Sequence, residues 1–419
     1  MDITVEPKRD ARTENVALNH QEFAQRKLEL RSTPRLVVLG THNACNAKCI
    51  FCLESRYSRF DLQLYKDFFE SKMGTYIKNA EKVTFTGWGE ILWIPGIEEF
   101  LDYINETIPD VEKIFTTNAT PLRPSVIERI AQSRYVIQAS VHASNAKLHQ
   151  ELTLLENEFD NVVQNLTRLA DVRDQRDLGK RLHIQLINVL TRKNIDDLPD
   201  FIRLAWKLRV QEVRVSHMTM HIPAHLDMSC FFEQERANRS IEEARRIAEP
   251  LEKANPNIFR VNLPPTYNRA DPIAAPSEDI CYDPWQNTYV ELQGSVMPCC
   301  FWGEHVGNLN KGDSLDAIWN GDVYKELRRG MGSGDPHPWC KSCIRYRGWN
   351  VNSIYCHLTN RPQEQLIMLE DIQRRGLDAG SWFKPEDIAK LRQKIAATEA
   401  AEAAKRAAED RGAWKSRAN

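Results

Sequence analysis

Between Leu36 and about Leu251, short β-branched runs alternate with longer stretches whose apolar residues recur every three or four positions. Such alternation predicts repeated βα units around a parallel sheet. Six units are legible, with strands predicted at Leu36–Leu39, Val83–Thr86, Ile114–Thr116, Tyr135–Ser140, His183–Val189 and Glu212–Ser216. The helices between them offer apolar faces such as Leu64, Phe68, Tyr76 and Ile77, or Phe201, Ile202, Ala205 and Leu208. Pro124 suits the first turn of a helix through Val126, Ile127 and Ile130, where a missing N–H leaves no helical hydrogen bond unmade. Six units cannot close an eight-stranded barrel. The fold class expected is therefore α/β, a partial (β/α)6 barrel of TIM type.

Outside the repeat the pattern changes. Residues 1–31 read as a polar N-terminal extension and 32–255 as the barrel. A connector from Pro264-Pro265 to Pro276 reads as a linker into a small domain, 256–357, with a β-hairpin of Thr288–Leu292 and Ser295–Pro298 around Gly294. Residues 358–419 read as a helical tail, rich in Ala, Glu and Lys from Ile395 to Arg411.

Composition narrows the setting. The 419 residues are 42% hydrophobic and 27% charged, which describes an ordinary globular chain rather than a disordered one. A formal charge of −2 gives no general attraction to nucleic acid or an anionic membrane surface, and basic runs such as Arg328-Arg329 read as solvated faces. No apolar stretch has the length of a membrane span and Met1 to Arg31 lacks the apolar core of a signal peptide, so a cytoplasmic location is expected. In a reducing compartment ten cysteines point to metal ligation rather than disulfides.

Three of them, Cys45, Cys49 and Cys52, are spaced C-x3-C-x2-C directly after the first strand. Three close thiolates hold three irons of a cubane [4Fe-4S] cluster and leave the fourth iron open. A zinc knuckle is the competing reading, but zinc takes four ligands and no fourth lies nearby. With Phe51 before the last cysteine, the motif resembles that of the radical SAM superfamily. The resemblance implies that the open iron chelates S-adenosylmethionine (SAM), which is cleaved reductively to a 5′-deoxyadenosyl radical.

Further segments extend the resemblance. Thr86-Gly87-Trp88-Gly89-Glu90 is similar to the family's Gly-Gly-Glu segment with Trp88 inserted, which implies that Gly87, Gly89 and Glu90 bind the SAM amino group. Thr117-Asn118 resembles a Thr-Asn-Gly step, with Ala119 in place of glycine, and Ser140 occupies a position that reads the SAM ribose or carboxylate. His142 stands where an acidic residue is common and reads as a loop histidine. Asn188, on the fifth strand, is expected either to face the adenosyl group or to be a satisfied strand-end amide.

Beyond the connector, Cys281, Cys299 and the pair Cys340-x2-Cys343 supply four thiolates for one tetrahedral or cubane site. The region resembles the SPASM/twitch extension of radical SAM enzymes. Too few cysteines follow for two auxiliary clusters, which implies the shorter twitch form with one auxiliary [4Fe-4S] cluster. A zinc ribbon would use the same ligands, and Cys300 competes with Cys299 for the second position. Relatives that epimerise substrates use a cysteine as hydrogen donor. Cys230, after the sixth strand, is the first candidate for that role and Cys356 the second.

The leading expectation is a radical SAM oxidoreductase or epimerase acting on a small molecule, a sugar, aminocyclitol or other polyol, with an external one-electron reductant such as flavodoxin or ferredoxin. About 35 residues before the barrel are too few for a winged-helix peptide-recognition domain. A maturase of a ribosomally made peptide is the second expectation, and a noncatalytic iron-sulfur electron carrier the third.

Overall fold

The computed structural model describes residues 10–42, 44–52, 62–86, 89–220, 222–267, 280–291, 293–302, 304–341, 343, 362–377, 386–400 and 403. Its centre is a run of parallel strands, β1 (Leu36–Gly40), β2 (Lys82–Thr86), β3 (Glu112–Thr117), β4 (Tyr135–Ser140), β5 (Leu182–Leu190), β6 (Glu212–His217) and β7 (Arg260–Asn262). They lie side by side in chain order. Sequential order makes every crossover run the same way, so right-handed connections place the helices on one face and leave the other as a lumen. The six predicted strands are all present, each within two residues of its expected ends.

The crossovers are helical. They comprise α1 (Ala11–Ala24) before the sheet, then α2 (Leu62–Phe68) and α3 (Gly74–Asn79), α4 (Ile97–Thr107), α5 (Pro124–Ile130), α6 (Ala146–Thr153) and α7 (Phe159–Gln175), α8 (Leu198–Lys207) and α9 (Gln234–Ala254). Pro124 opens α5, and Val126, Ile127 and Ile130 are buried beneath it. The face predicted on α8 is also buried, through Leu198, Phe201, Ile202 and Ala205. Between α2 and α3 the reading slips by one residue. A π-helical turn, Phe69–Met73, widens the helix there, so Tyr65, Phe69, Met73 and Ile77 point inward and Leu64 is exposed. Phe69 and Tyr65 join Phe85, Phe100, Phe115 and Tyr135 in a chain of ring contacts at 5.4–6.3 Å. Each edge-to-face pair adds about 0.5–1.5 kcal/mol beyond its buried area.

The sheet does not stop at the barrel. After α10 (Asp283–Gln286), β8 (Asn287–Val290) pairs in parallel with β1, Leu36 opposite Asn287, and β9 (Ser295–Met297) and β10 (Gly307–Asn308) follow antiparallel. The predicted hairpin is thus the edge of one ten-stranded sheet rather than a detached ribbon. Helices α11 (Leu315–Trp319), α12 (Asp322–Ser333), α13 (Pro338–Lys341) and α14 (Pro362–Arg375) complete the described elements, with a further helical stretch at 386–400. Of the connector, the described part packs down: Pro265 pairs through its carbonyl with His217, whose ring stacks on Tyr267 at 4.2 Å. The described residues include no helix long and apolar enough to cross a membrane.

Single polar residues in the N-terminal extension and in the basic run read as solvated prove to be buried. On α1, Asn19 donates to the Trp285 carbonyl at 2.7 Å, and Glu22 accepts from the backbone N–H groups of Arg31 and Ser32. Arg328 is fully buried under Trp319, 4.6 Å from its ring, and donates to the carbonyls of Pro284 and Leu28, while Arg329 is exposed. A guanidinium costs too much to bury without acceptors. Here two carbonyls from distant segments supply them, which clamps the N-terminal segment to the region around α10 and α12. Replacing Arg328 by Ala is expected to cost about 3 kcal/mol of unfolding free energy in urea, and Arg329→Ala less than about 0.5 kcal/mol. Equal effects would contradict the clamp.

Candidate functional site

The loop from Thr41 to Cys52 leaves the C-terminal end of β1 and is held on several sides. Thr41 and His42 pair with the carbonyls of Thr86 and Glu90, the Glu90 N–H donates to the Ala44 carbonyl at 2.8 Å, and Lys48 and Ile50 donate to the carbonyls of Thr153 and Leu152 at the end of α6. Asn46, within the cysteine motif, accepts from the Asn118 side chain at 2.8 Å and donates to Thr120. Sequence reasoning had no reason to single out Asn46, whose importance comes from the loop opposite it.

Glu90 knots three loops together. One carboxylate oxygen accepts from the Leu92 N–H at 3.1 Å and the other from the Asn118 N–H at 2.5 Å. Burial pushes the carboxyl up to about 7, against hydrogen bonds from Thr117, Asn118 and Leu92 that lower it. Gly89 lies against the cysteine loop so closely that a Cβ there would sit 2.2 Å from the Ala44 carbonyl oxygen. Ala119 has φ of +63°, the left-handed region that glycine adopts freely, which accounts for glycine in the pattern this segment resembles. Gly87 lies outside the described residues.

The three cysteines share one small region. Burial pushes the Cys49 thiol up to about 12, with Cys45 and Cys52 adding to the rise; burial also raises Cys45, with smaller contributions from Glu90 and Cys52. Thiols this reluctant to ionise alone are relieved when a cationic metal centre takes them as thiolates. Phe51 packs edge-on against His142, ring centres 4.8 Å apart. His142 is no simple loop residue: it is buried, its Nδ1 accepts from the Val189 N–H at 3.2 Å, and burial lowers its pKa to about 3, so the ring is neutral. Ser140 shares its strand face with Gln138, towards the lumen. Asn188 has the opposite parity to Gln185 on β5, and its side chain lies at 3.3 Å from that of Asn194. Side chains alternate along a strand, so Asn188 points to the helical layer and not to an adenosyl group in the lumen.

The second cysteine group lies at the other end of the sheet. Cys281 precedes β8, whose start is level with the start of β1, and antiparallel β9 brings Cys299 back to that level. The five residues of β1 span about 16 Å between the two levels. Cys281, Cys299, Cys340 and Cys343 line one cavity with Asp283, Trp302, Leu327 and Met331. Cys300 is exposed, so it is Cys299 that faces the other three. Burial raises Cys299 well above the ordinary thiol value and Cys340 to about 12, with Cys343 and Asp283 contributing to both.

Among the described residues no three His, Cys, Asp or Glu side chains converge on the position of a single metal ion. A tetrahedral zinc site needs sulfurs about 3.8 Å apart, given a Zn–S bond of about 2.3 Å. A cubane cluster gives each thiolate its own iron and so takes donors spread more widely. Both cysteine groups carry the thiolate chemistry that a cubane cluster uses, and the four-cysteine set has the donors of a zinc site as well.

Between the two ends runs the lumen, where a cavity of about 600 Å³ is lined by Leu36, Val38, Thr84, Ile114, Arg214 and Asp283 among others. Asp283 borders both this space and the four-cysteine cavity. Cys230 is 2% exposed, and burial pushes its thiol up to about 12; the charges around it are Arg236, Glu233, Arg192 and Asp196, on the helical side of the sheet. Cys356 lies outside the described residues.

A partial TIM-type barrel with three cysteines on the loop after β1 and four more beneath the lumen defines a class of iron-sulfur enzyme. Residues 40–205 match the radical SAM superfamily and residues 281–344 match SPASM, an iron-sulfur cluster-binding domain; the chain belongs to the radical SAM superfamily, as an enzyme that uses a [4Fe-4S] cluster, SAM and auxiliary iron-sulfur binding. No curated protein matches the sequence. Among solved structures, Streptococcus suis SuiB bound to precursor peptide SuiA aligns with a TM-score of 0.55 at 15% identity over 86% of this chain and 81% of its own. SuiB bound to S-adenosylmethionine gives 0.52 at 16% over 78% and 74%. Native anSMEcpe with bound AdoMet and Cp18Cys peptide gives 0.52 at 14% over 81% and 96%. At these identities the likeness is one of fold.

The contact at Gly89 carries its own test. Gly89→Ala is expected to displace the cysteine loop, so that the reconstituted protein loses the iron of that site while retaining the iron of the other. Full iron content in the variant would contradict the close approach.

Proposed function

We propose that Cys45, Cys49 and Cys52 hold the SAM-binding [4Fe-4S] cluster and that Cys281, Cys299, Cys340 and Cys343 hold one auxiliary [4Fe-4S] cluster, in an oxidoreductase or epimerase acting on a hydroxylated small molecule. Bound there, cluster and SAM supply a 5′-deoxyadenosyl radical that abstracts hydrogen, and the auxiliary cluster supplies an electron acceptor. The chain's own residues orient and enclose. Gly89 and Glu90 fix the loop beside the cysteines, Asn118 holds that loop through Asn46, and Ser140 offers a hydroxyl at the rim of the lumen. His142 braces Phe51 as a neutral ring, so no buried charge is introduced beside the cluster loop.

The observation that carries this reading is the placement of two cysteine groups at opposite ends of one lumen, with Asp283 bordering both the lumen and the second group. A full set of four cysteines leaves an auxiliary cluster no open iron for binding a substrate's sulfur, which favours electron transfer over sulfur chemistry. A peptide maturase is the second reading, supported by the fold shared with SuiB, solved with a precursor peptide, and with anSMEcpe, solved with a Cp18Cys peptide. Cytoplasmic location and a flavodoxin- or ferredoxin-type reductant belong to the same proposal.

Cys49→Ala is expected to abolish 5′-deoxyadenosine formation under strong reductant, read by liquid chromatography. Retained formation would refute the assignment. Cys340→Ala is expected to keep SAM cleavage but lose its coupling to product, whereas equal loss in both variants would make the second site structural.

A further inference from the structure

Across the lumen face runs a row of side chains in which each member's direction is imposed by its neighbour. Glu212 on β6 accepts from Gln185 at 2.7 Å, from Arg214 at 2.7 Å and from Asn262 at 2.7 Å, and His183 lies at 3.5 Å. Burial opposes ionisation of Glu212, but nearby His183 and the hydrogen-bonded Arg214 outweigh it and bring the carboxyl down to about 2. An ionised carboxylate only accepts, so the Gln185 amide must turn its NH2 towards it. The Gln185 oxygen then faces β4 and accepts from the Gln138 amide at 3.0 Å, and the Gln138 oxygen in turn accepts from the Thr116 hydroxyl at 3.0 Å. A threonine hydroxyl has one proton. Thr116 has spent it on Gln138.

Thr116 is half-buried on the same face of β3 as Ile114, which lines the lumen cavity, and directly precedes Thr117 and Asn118 of the loop that binds Glu90. Its remaining capacity is two lone pairs, on the face of β3 that looks into the lumen. We propose that Thr116 is a specificity-determining residue that accepts a hydrogen bond from a substrate hydroxyl or amine, and that Gln138, Gln185 and Glu212 are positioning residues that hold it in the acceptor state. The substrate group that meets Thr116 is then a hydroxyl or amine rather than an apolar side chain, which suits the hydroxylated small molecule proposed above. This rests on the function proposed above and sharpens its substrate.

The test reads binding without reductant, using the reconstituted protein with SAM and ligand-observed NMR. The probes are myo-inositol and hexa-O-methyl-myo-inositol, which has the same ring but no donors. The wild type is expected to bind the first and not the second. Thr116→Val, which keeps the β-branched shape, is expected to weaken myo-inositol binding about three- to ten-fold, the equivalent of one neutral hydrogen bond, and Thr116→Ser to restore it. Glu212→Gln replaces the obligate acceptor by an amide that faces either way, and is expected to weaken binding by a smaller factor. Unchanged binding in Thr116→Val, equal binding of both probes, or no binding of myo-inositol by the wild type would overturn the proposal. SAM cleavage plays no part in this readout, so 5′-deoxyadenosine formation surviving Cys49→Ala would refute the cluster assignment while leaving the inositol result as it stands.

Discussion

A carboxylate with almost no access to water organises the upper end of this molecule. Glu90 takes one backbone N–H from its own turn and one from the loop after β3, while its own N–H reaches the cysteine loop after β1. Three loops that share no sequence are thereby fixed to one another. Burying a carboxyl is costly unless its lone pairs are used, and here the donors are backbone groups that also need partners. The same knot forces Gly89, because the backbone of the cysteine loop passes where a side chain would begin. The described part of the cysteine loop is thus tied to its neighbours by backbone hydrogen bonds on two sides.

The lower end is organised by a different kind of contact. The strand β8 extends the barrel sheet and so sets Cys281 and Cys299 at the base of the lumen, while buried Arg328 ties the N-terminal segment to the same region. The parts read from sequence as barrel and small domain thus share one sheet, and the N-terminal extension packs on the same core through Phe23 and Leu30. The lumen lies between the two cysteine groups, lined on one side by the ordered row from Thr116 to Glu212. The three-cysteine loop, the lumen and the four-cysteine cavity are brought into line by the geometry of parallel strands.

Much of this was legible in the sequence, for reasons that are physical. Short β-branched runs between amphipathic stretches located six of the seven parallel strands, and the three residues of β7 are too few to stand out in that pattern. The two cysteine groups stood out because their spacing is uncommon by chance, and they fall within the two matched domains. What escaped had equally specific causes. The buried positions of α1 are polar, Asn19 and Glu22, so no apolar stripe marks it. Arg328 looks solvated until its acceptors are in place, the carbonyls of Pro284, 44 residues away, and of Leu28, 300 residues away. Leu64 was misread because a π-helical turn shifts the inward face by one residue. The two readings of Asn188 could not be separated without a parity marker, which Gln185 supplies once its partners are known, and the side chain meets Asn194 on the helical side. The choice between Cys299 and Cys300 likewise needed the register of β9 on β8.

The central claim is that both cysteine groups hold cubane clusters, and elemental analysis tests it most directly. The protein purified and reconstituted without oxygen is expected to contain roughly eight irons and eight labile sulfides per chain, with no zinc. About four irons and four sulfides with one zinc would contradict the account at the lower site, leaving radical chemistry without an internal electron acceptor.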